Sequence, residues 1–514
     1  MFNHKPIIFL FYLLIGSPLF AQNFYLPVNE LSLLRMERAG LHRESGVHFG
    51  FKPISTKGVN FSSVEGVGAD STDYYYWITA KLFGEHLLEL DKKGLAVNAD
   101  FIFDFGYGGE VEATDRERVN TFINTRGFAI SGQIGDKVYF YTDFRENQAR
   151  FPSYLTDFID STDVVPGNGR IKPFNEDGYD FNMASGFVGI RATDWLDVNF
   201  GHYKQFIGHG HRSLLLSDNS FNYPYASYEI KLFDGKLAYR NSLAILQNLE
   251  RLPAGDAPES LFKRKMMSLN YLSYKPVKQL EIGLFESIVW KRFDDSTGTR
   301  PFNFNALNPV PFINTAIRGL GDPTANALLG LNLAVHPTKS LSFYGQAMLD
   351  NIGGESDKFG YQVGGVFRNL LNRMDVRAEY NTVSQMAYSN PDPLQSYTHF
   401  GQPLAHPYGA GFEEYYVSLK YFHDRILADL TLVWAKYDRT GRDPLAPTDS
   451  ELVYPAGSLG YQDFKFAYVF NPRTNMQVYA GITNRNRKAD SSEFQNQFWY
   501  FGIRTNLANS YRDF

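Results

Sequence analysis

Three histidines lie close together in the first half of the chain: His202, His209 and His211. On a strand, residues i and i+2 project to one side, so His209 and His211 are spaced to chelate a metal ion. Glycines flank both of them, and no third ligand is evident in the sequence. We therefore predict a tight turn without a metal, in which Gly208 and Gly210 adopt backbone angles that other residues avoid.

The rest of this loop motif is polar and charged. Arg212, Asp218 and Asn219 follow the two histidines, and we expect Arg212 and Asp218 to brace the loop. Ser213 lies next to Arg212 without the residues of a nucleophile elbow around it. The motif is therefore interpreted as a structural loop.

The signatures of common enzymes are missing from the sequence. It contains no GxSxG, HExxH or P-loop, and its many carboxylates cannot be paired for acid–base work without geometry. The chain has no Cys, which excludes a disulfide scaffold, Cys-ligated zinc, iron–sulfur clusters and a thiol nucleophile. We predict no enzyme, no metal and no cofactor.

Tyrosines that neighbour Asn, Asp and Gln are the more suggestive residues. The candidates are Tyr223, Tyr225, Tyr388, Tyr397 and Tyr408, the last of them beside His406. Flat aromatic faces stack on the C–H faces of sugars while amides and carboxylates bind the hydroxyls. The alternative is that these tyrosines rigidify long loops or lie in a lipid-interface belt, and both interpretations stay open.

The elements that must position these residues are strands. From about residue 95 onward, apolar and polar residues alternate with period 2. In 374–384, for example, Val376, Ala378 and Tyr380 alternate with a charged face. The charges that we expect to face a wet lumen are Asp143, Arg145, Asp375, Arg377, Glu379 and Arg504. They carry both signs, so strong ion selectivity is not implied.

This alternation defines about eighteen strand-like segments. They lie near 95–106, 124–135, 137–147, 185–192, 195–206, 226–233, 236–249, 264–274, 279–291, 328–336, 340–350, 360–368, 374–384, 414–422, 425–438, 458–470, 475–486 and 497–507. In the main, short linkers alternate with long ones such as 148–184, 292–327, 385–413 and 439–457. Outer-membrane barrels have short periplasmic turns and long outer loops in this order.

Aromatic residues favour a membrane barrel over a soluble β-sandwich or propeller. Trp290, Trp434 and Trp499 fall on the apolar faces near strand ends, where an aromatic girdle meets the lipid headgroups. Phe514 is a terminal aromatic residue, as in many outer-membrane barrels. We predict an all-β fold, an antiparallel transmembrane barrel of about eighteen strands over 95–514.

The N-terminal residues are predicted to direct export. Lys5 precedes a nine-residue apolar core, Ile7–Ile15, which is too short to span a bilayer and is followed by a cleavage site near Ala21. Residues 1–21 are therefore a predicted signal peptide, and the location is the outer membrane. The net charge of -5 argues against a nucleic-acid binder.

Residues 22–94 do not alternate and are predicted to form a small periplasmic helical unit that packs on or plugs the barrel. One helix is expected over Asn29–Gly40, with Asn29 as its N-cap and Gly40 as its stop. Another is expected within Ser71–Lys92, where apolar residues recur at helical spacing. The Gly- and Ser-rich stretch Lys57–Asp70 is a predicted loop between them.

Several stretches resemble a family of Bacteroidota outer-membrane proteins described as RemB-like gliding-motility proteins, which are similar to Wzi-type capsule assembly barrels. The residues that carry the resemblance are Trp77–Leu88, Asn124–Gly127, Glu146–Pro152, Val164–Arg170, Phe206–Asn219 and Tyr223–Tyr225. The match covers roughly residues 75 to 245, and the C-terminal half matches in barrel character. The resemblance implies a barrel of about eighteen strands with periplasmic helices, acting in capsule retention.

The predicted function is non-enzymatic surface assembly. It would retain surface polysaccharide or support gliding, with outer-membrane lipid and either polysaccharide or gliding-machinery proteins as partners. The alternative is a porin or solute transporter, and a less favoured one is an outer-membrane enzyme. A lumen filled by inward-folded loops and paired charges would indicate a plugged scaffold, and an open lumen would conduct.

Overall fold

The alternating segments of the sequence form a closed antiparallel barrel of eighteen strands in the computed structural model. The structure describes residues 25–26, 30–43, 46–55, 76–92, 94–111, 119–252, 262–294, 298–300, 304–308, 310–318, 325–351, 358–437, 456–489, 492–505, 509 and 511–514. The predicted signal peptide, the Lys57–Asp70 loop and the Asn29 cap lie outside these residues. All eighteen predicted segments coincide with strands.

The strands of the barrel follow one another around the wall in chain order. They are β1 (Leu95–Glu110), β2 (Asn120–Ile134), β3 (Val138–Arg150), β4 (Gly178–Arg191), β5 (Leu196–Tyr203), β6 (Tyr223–Leu232), β7 (Leu237–Arg251), β8 (Phe262–Val277), β9 (Leu280–Lys291), β10 (Ala325–Val335), β11 (Leu341–Asn351), β12 (Lys358–Leu370), β13 (Met374–Val383), β14 (Phe412–His423), β15 (Ile426–Tyr437), β16 (Gly457–Asn471), β17 (Met476–Ala489) and β18 (Ser492–Arg504). The barrel closes where β18 pairs with β1, from Phe498 opposite Glu110 to Arg504 opposite Asp104.

Helices and short strand pairs complete the fold. The helices are α1 (Glu30–Arg38), α2 (Trp77–Phe83), α3 (Ser153–Thr162) and α4 (Ile313–Arg318), with 3₁₀ turns at Leu41–Arg43, Phe304–Leu307 and Pro393–Gln395. Two-stranded pairs join Tyr25–Leu26 to Ile54–Ser55, Phe51–Lys52 to Phe206–Ile207, Phe293–Asp294 to Gly298–Thr299, and Thr398–His399 to Gln402–Pro403. Lys172–Phe174 adds to the edge of β4. In the part of the chain that the structure describes, no helix has the length and apolar character needed to cross a membrane.

The N-terminal predictions meet different outcomes. The first helix is confirmed, as α1 followed by Gly40 at a φ of +80°. The second prediction is wrong beyond Phe83, because Leu88–Lys92 forms a strand. At this end β1 extends past its partner β18, and Leu88–Lys92 pairs with the open edge at Leu95–Ala99. Backbone pairing with an exposed edge therefore outweighs the helical spacing of the apolar residues.

Outside, the wall presents large apolar side chains to its surroundings, as a membrane barrel must. Trp434 and Trp499 are exposed among them, as the girdle prediction requires. Trp290 also faces outward, because it lies six residues after the exposed Leu284 on the same strand. It is nevertheless only 2% exposed, since residues of the following loop cover it, and the girdle prediction is wrong for Trp290.

Inside, the lumen is filled from both ends. The N-terminal segment with α1 enters from the end where the strands are joined by short turns, and the loops 204–222 and 384–411 fold in from the opposite end. The N-terminal segment and the loop 204–222 meet where Phe51–Lys52 pairs with Phe206–Ile207. The buried core of the protein therefore lies within the barrel, where loop residues such as Leu215 and Leu404 are fully buried.

Candidate functional site

The loop motif with the two histidines lies in the middle of the filled lumen. Gly208 has a φ of +140°, and a Cβ there would lie 2.5 Å from the Gln346 side chain. Gly210 has no such angle. It is confined by space instead, because a Cβ would lie 2.9 Å from the Arg212 carbonyl oxygen. The predicted turn therefore needs unusual backbone angles only at Gly208.

Arg212 is the charged centre of this motif and is 0% exposed. Its guanidinium lies 3.0 Å from Glu414 Oε1 on β14 and 2.7 Å from Asp513 Oδ2 in the C-terminal tail. The other oxygen of Glu414 is 2.8 Å from His406 Nε2 in the loop 384–411. Arg212 thus joins a folded-in loop, the wall and the tail through one buried charge network.

Asp218 and Asn219 extend the same network. Asp218 accepts hydrogen bonds from the Tyr511 hydroxyl at 2.7 Å and from Asn509 Nδ2 at 2.8 Å. Asn219 donates to the Pro403 carbonyl oxygen at 3.4 Å. The two residues hold the motif against the C-terminal tail and the neighbouring loop.

The three histidines lie in separate environments. His209 Nε2 is 3.7 Å from Glu281 Oε1, and burial lowers the pKa of His209 to about 3 although Glu281 opposes the shift. The His211 ring stacks on Tyr416 with centroids 4.2 Å apart. His202 lies 2.9 Å from the Ala184 carbonyl oxygen. Among the residues that the structure describes, no three His, Asp or Glu side chains come together as a metal site.

The five tyrosines proposed for sugar stacking are buried. They are Tyr223, Tyr225, Tyr388, Tyr397 and Tyr408. Tyr388 donates to the Leu214 carbonyl oxygen at 2.8 Å, and Tyr408 to that of Asp513 at 2.7 Å. Tyr223 and Tyr225 lie at the start of β6, and the other three lie in the folded-in loop 384–411. All five rings pack in the core within the lumen and do not present a surface to a ligand. The stacking interpretation is therefore corrected for all five.

The charges predicted for the lumen do lie there. Asp143, Arg145, Asp375, Arg377, Glu379 and Arg504 project inward from the wall. Asp143 and Arg145 pair at 2.7 Å, Glu379 accepts the Tyr344 hydroxyl at 2.6 Å, and the Arg504 guanidinium lies 5.0 Å from the Tyr479 ring.

Helix α1 is locked to the wall by ion pairs. Glu37 lies 2.8 Å from Arg368 on β12 and 3.4 Å from Arg377 on β13, and Arg38 lies 2.8 Å from Asp375. Burial alone would raise the pKa of Glu37, but the two guanidiniums outweigh it and hold that pKa at about 2. The short-turn end of the lumen is therefore closed by a carboxylate that stays charged near neutral pH.

One side of the lumen holds a cavity of about 390 Å³. Strands β1, β2 and β14–β18 line it, with α3 above it and the C-terminal tail beside it. A volume in this range is typical of small-ligand sites. The side chains on its walls that can bind a polar ligand are Tyr154, Tyr416, Lys420, Asp429, Tyr461, Asp463, Lys465, Tyr479, Tyr500, Arg504 and Tyr511.

Hydrogen bonds between neighbouring strands hold these groups in place. Tyr500 donates to Asp463 at 2.9 Å, Tyr479 donates to Asp104 at 2.6 Å, and Lys420 lies 2.6 Å from Asp429. The second oxygen of Asp429 is buried and accepts no hydrogen bond from any described residue. The Asp429 carboxylate lines the cavity beside flat tyrosine faces, a combination that suits a ligand with hydroxyl groups.

Sequence reasoning missed this cavity, although the signal was present. Tyr461, Asp463 and Lys465 alternate along β16 in the same way as the predicted charges of β13. Applying the lumen-face rule to tyrosines as well as to charges would have selected them.

Comparison with known proteins adds a family and a fold. The family model for the capsule assembly protein Wzi matches residues 115–497. The solved structure of Wzi from Escherichia coli, described as an outer-membrane protein involved in group 1 capsule assembly and a carbohydrate-binding β-barrel, is 13% identical with a TM-score of 0.55. The match covers 95% of this chain and 100% of that one.

Weaker likeness extends to porin-type barrels. OccK2 (OpdF) of Pseudomonas aeruginosa in complex with glucuronate is 9% identical, and a BenF-like porin from Pseudomonas fluorescens Pf-5 is 8% identical. Both matches cover 80% of this chain, and they cover 98% and 99% of the two porin-type chains. Each has a TM-score of 0.44, and we draw no conclusion about function from them. No curated protein matches the chain significantly.

Proposed function

Since the chain belongs to the Wzi capsule assembly family, whose model spans residues 115–497, we propose that it retains capsular or related surface polysaccharide at the cell surface. The family match over this range is the observation that carries the proposal. The barrel lies in the outer membrane, as its family and its eighteen-strand fold indicate. Polysaccharide at the surface is therefore within reach of the protein.

The filled lumen supports a scaffold rather than the alternative of a porin. From one end, α1 is tied to the wall through Glu37 and Arg38. From the other, Arg212 ties a folded-in loop to Glu414 and Asp513. A diffusion channel needs a continuous aqueous path, and these two closures oppose one. The gliding interpretation stays a prediction.

The cavity lined by β1, β2 and β14–β18 is our candidate for contact with a sugar. Tyr479 and Tyr500 offer aromatic faces, while Asp429 and Lys465 offer an acceptor and donors within the same space. This combination suits the mixed apolar and hydroxyl surface of a saccharide. We therefore propose sugar stacking for Tyr479 and Tyr500 of the cavity, in place of the five buried tyrosines that the sequence suggested.

We propose a binding role without catalysis. Two carboxylates of the cavity are engaged by neighbours: Asp463 accepts a hydrogen bond from Thr483 at 2.6 Å, and Asp104 accepts one from Tyr479 at 2.6 Å. A glycosidase needs one carboxyl group that donates a proton and another that acts as base or nucleophile across the scissile bond. The arrangement supports positioning of a ligand rather than acid–base work.

The proposal is tested in a deletion strain of the native organism. Surface polysaccharide that stays on washed cells and polysaccharide shed into the medium are quantified in parallel. We expect a shift from the retained to the shed fraction, with total synthesis unchanged, and reversal by the complementing wild-type chain. An unchanged ratio between the two fractions would contradict the proposal.

A further inference from the structure

The loop between β9 and β10 contains a segment that lies on the outside of the barrel. We call the described residues 304–308 and 310–318 the external segment. Met266, Ile288 and Trp290 face outward. Met266 pairs with Trp290, Ile288 lies two residues before Trp290, and the lumen residues Tyr271 and Phe285 lie on the other face of the same two strands. All three are buried, in one cluster with Ala306 of the external segment.

Hydrogen bonds fix the external segment to this wall. Glu286 of β9 faces outward beside Asn270 of β8 and is 1% exposed. It accepts hydrogen bonds from Asn270 Nδ2 at 2.9 Å, from the Phe312 backbone N–H at 2.9 Å and from the Thr315 hydroxyl at 2.5 Å. Asn241 of β7 donates to Asn270 at 2.8 Å. A polar patch therefore lies on the outer face, and the external segment satisfies it.

This patch lies where lipid would otherwise be. Glu286 is the seventh of the twelve residues of its strand. Leu284, the preceding outward residue on the same strand, and Leu331, its partner on β10, are exposed apolar side chains. A carboxylate facing lipid is unfavourable, so the wall needs the external segment as a cover at this position.

The external segment is apolar on its own outer side. Phe304, Leu307 and Val310 are 77%, 50% and 51% exposed. The seventeen residues 301–317 include no Asp, Glu, Lys or Arg, while Arg300 and Arg318 flank them. An uncharged stretch with aromatic and aliphatic residues between basic ends is typical of segments that lie in a membrane interface.

We propose that the external segment is a membrane-embedded part of the wall, which inserts Phe304, Leu307 and Val310 among the acyl chains of the lipid. Its outer side continues the lipid-facing surface of Leu284 and Leu331. Lipid is therefore the occupant that fits an apolar surface lying within that belt. The inference concerns anchoring and does not rest on the polysaccharide role.

The absence of Cys makes a direct test simple. Leu307→Cys is labelled with a nitroxide and reconstituted into vesicles of phosphatidylethanolamine and phosphatidylglycerol. Accessibility to oxygen, which concentrates in lipid, and to a water-soluble nickel chelate is then measured by electron paramagnetic resonance. Leu331→Cys is the lipid-facing control, and Asp177→Cys, whose side chain is 62% exposed beside β4, is the aqueous control.

We expect Leu307→Cys to match Leu331→Cys, with more access for oxygen than for nickel. A pattern like that of Asp177→Cys would overturn the proposal, because the external segment would lie in water. Protection from both reagents would also overturn it, in favour of a second copy or another protein. If Leu307→Cys does not give a heat-modifiable folded band, Val310→Cys takes its place.

A second variant tests the attachment. Thr315→Val removes the hydroxyl that Glu286 accepts and should make the label at position 307 more mobile. Thr382→Val removes a hydroxyl bonded to the Phe412 carbonyl oxygen elsewhere on the wall and should leave that label unchanged. Equal mobility in both variants would show that Glu286 does not hold the external segment.

Discussion

The two sides of the lumen differ in how their charged residues are used. On the side of β12 and β13, wall residues such as Arg368 and Asp375 pair with the entering helix α1. On the side of β14–β18, charged residues also pair along the wall, since Lys420 and Lys465 lie 2.6 and 3.6 Å from Asp429. Lys420 lies 3.2 Å from Glu30 at the start of α1 as well, so the helix touches this side at its first residue. The charged residues of β12 and β13 hold the helix that closes the barrel, whereas the side chains of β14–β18 surround a cavity. Closure and binding are thus divided between two regions of one barrel.

The largest effect should come from the network where both regions meet. Arg212→Ala leaves Glu414 and Asp513 buried without their guanidinium, and removing one partner of a buried pair is strongly unfavourable. We expect the free energy of unfolding to fall by about 4 kcal/mol, measured by urea titration of the refolded protein in detergent.

The matched control for this variant is Arg150→Ala. Arg150 pairs with Asp177 at 2.8 Å where both side chains are substantially exposed, so we expect a loss below about 1 kcal/mol. Equal losses in the two variants would show that the buried network does not hold the loops in the lumen.

The closing side can be tested at helix α1. Glu37→Gln removes the carboxylate that holds Arg368 and Arg377, and we expect the free energy of unfolding to fall by about 3 kcal/mol, measured by urea titration. Glu89→Gln is the control, since its pair with Arg473 spans 3.6 Å between half-exposed side chains. Equal losses in Glu37→Gln and Glu89→Gln would mean that the buried ion pairs do not hold α1 to the wall.

Acid should weaken the closing side further. Burial lowers the pKa of His42 to about 4 and those of His209 and His336 to about 3, from 6.5. The unfolded chain therefore takes up protons first. The stability that these rings contribute is complete well above pH 6.5, falls as the pH drops through 6.5, and stops falling near the folded-state pKa values of about 4 and 3. We expect these three rings to contribute a loss of about 2 kcal/mol between pH 7.5 and 6, measured by urea titration. Four more histidines, whose pKa values burial also lowers, add to that loss: His48, His211, His399 and His406.

His209→Gln provides the control for this pH dependence. It removes one buried ring, so the loss between pH 7.5 and 6 should shrink by about 0.8 kcal/mol. A stability that rises on acidification in the wild type, or a slope that the variant leaves unchanged, would contradict the account of these histidines.

The barrel and its strand order could be predicted from the sequence, because an alternation of period 2 needs only local residues. Met374–Val383 shows this, since Asp375, Arg377 and Glu379 face the lumen as the pattern indicates. The filling of the lumen could not be predicted. The pair between Glu37 and Arg368 joins residues 331 positions apart, and local spacing holds no information on such partners.

Loop direction escaped prediction for a related reason. Tyr388 and Tyr408 pack inward, while Phe304 and Leu307 lie exposed outside the wall, yet both loops are rich in Pro, Asn and aromatic residues. Their composition predicts that they are loops but does not predict the direction in which they fold. Which surface each loop covers depends on polar groups of the wall, such as Glu286 on β9, that it can satisfy.

The measurement that tests the central claim most directly compares the two regions by ligand binding. Surface polysaccharide from the native organism is titrated against the wild-type protein, Tyr500→Leu from the cavity and Tyr397→Leu from the packed loops. We expect Tyr500→Leu to weaken binding about tenfold, as loss of one stacking face allows, with the fold intact. Tyr397→Leu should lower stability and keep the affinity. Full affinity in Tyr500→Leu, or a loss of affinity only in Tyr397→Leu, would contradict the division of the lumen into a closing side and a binding side.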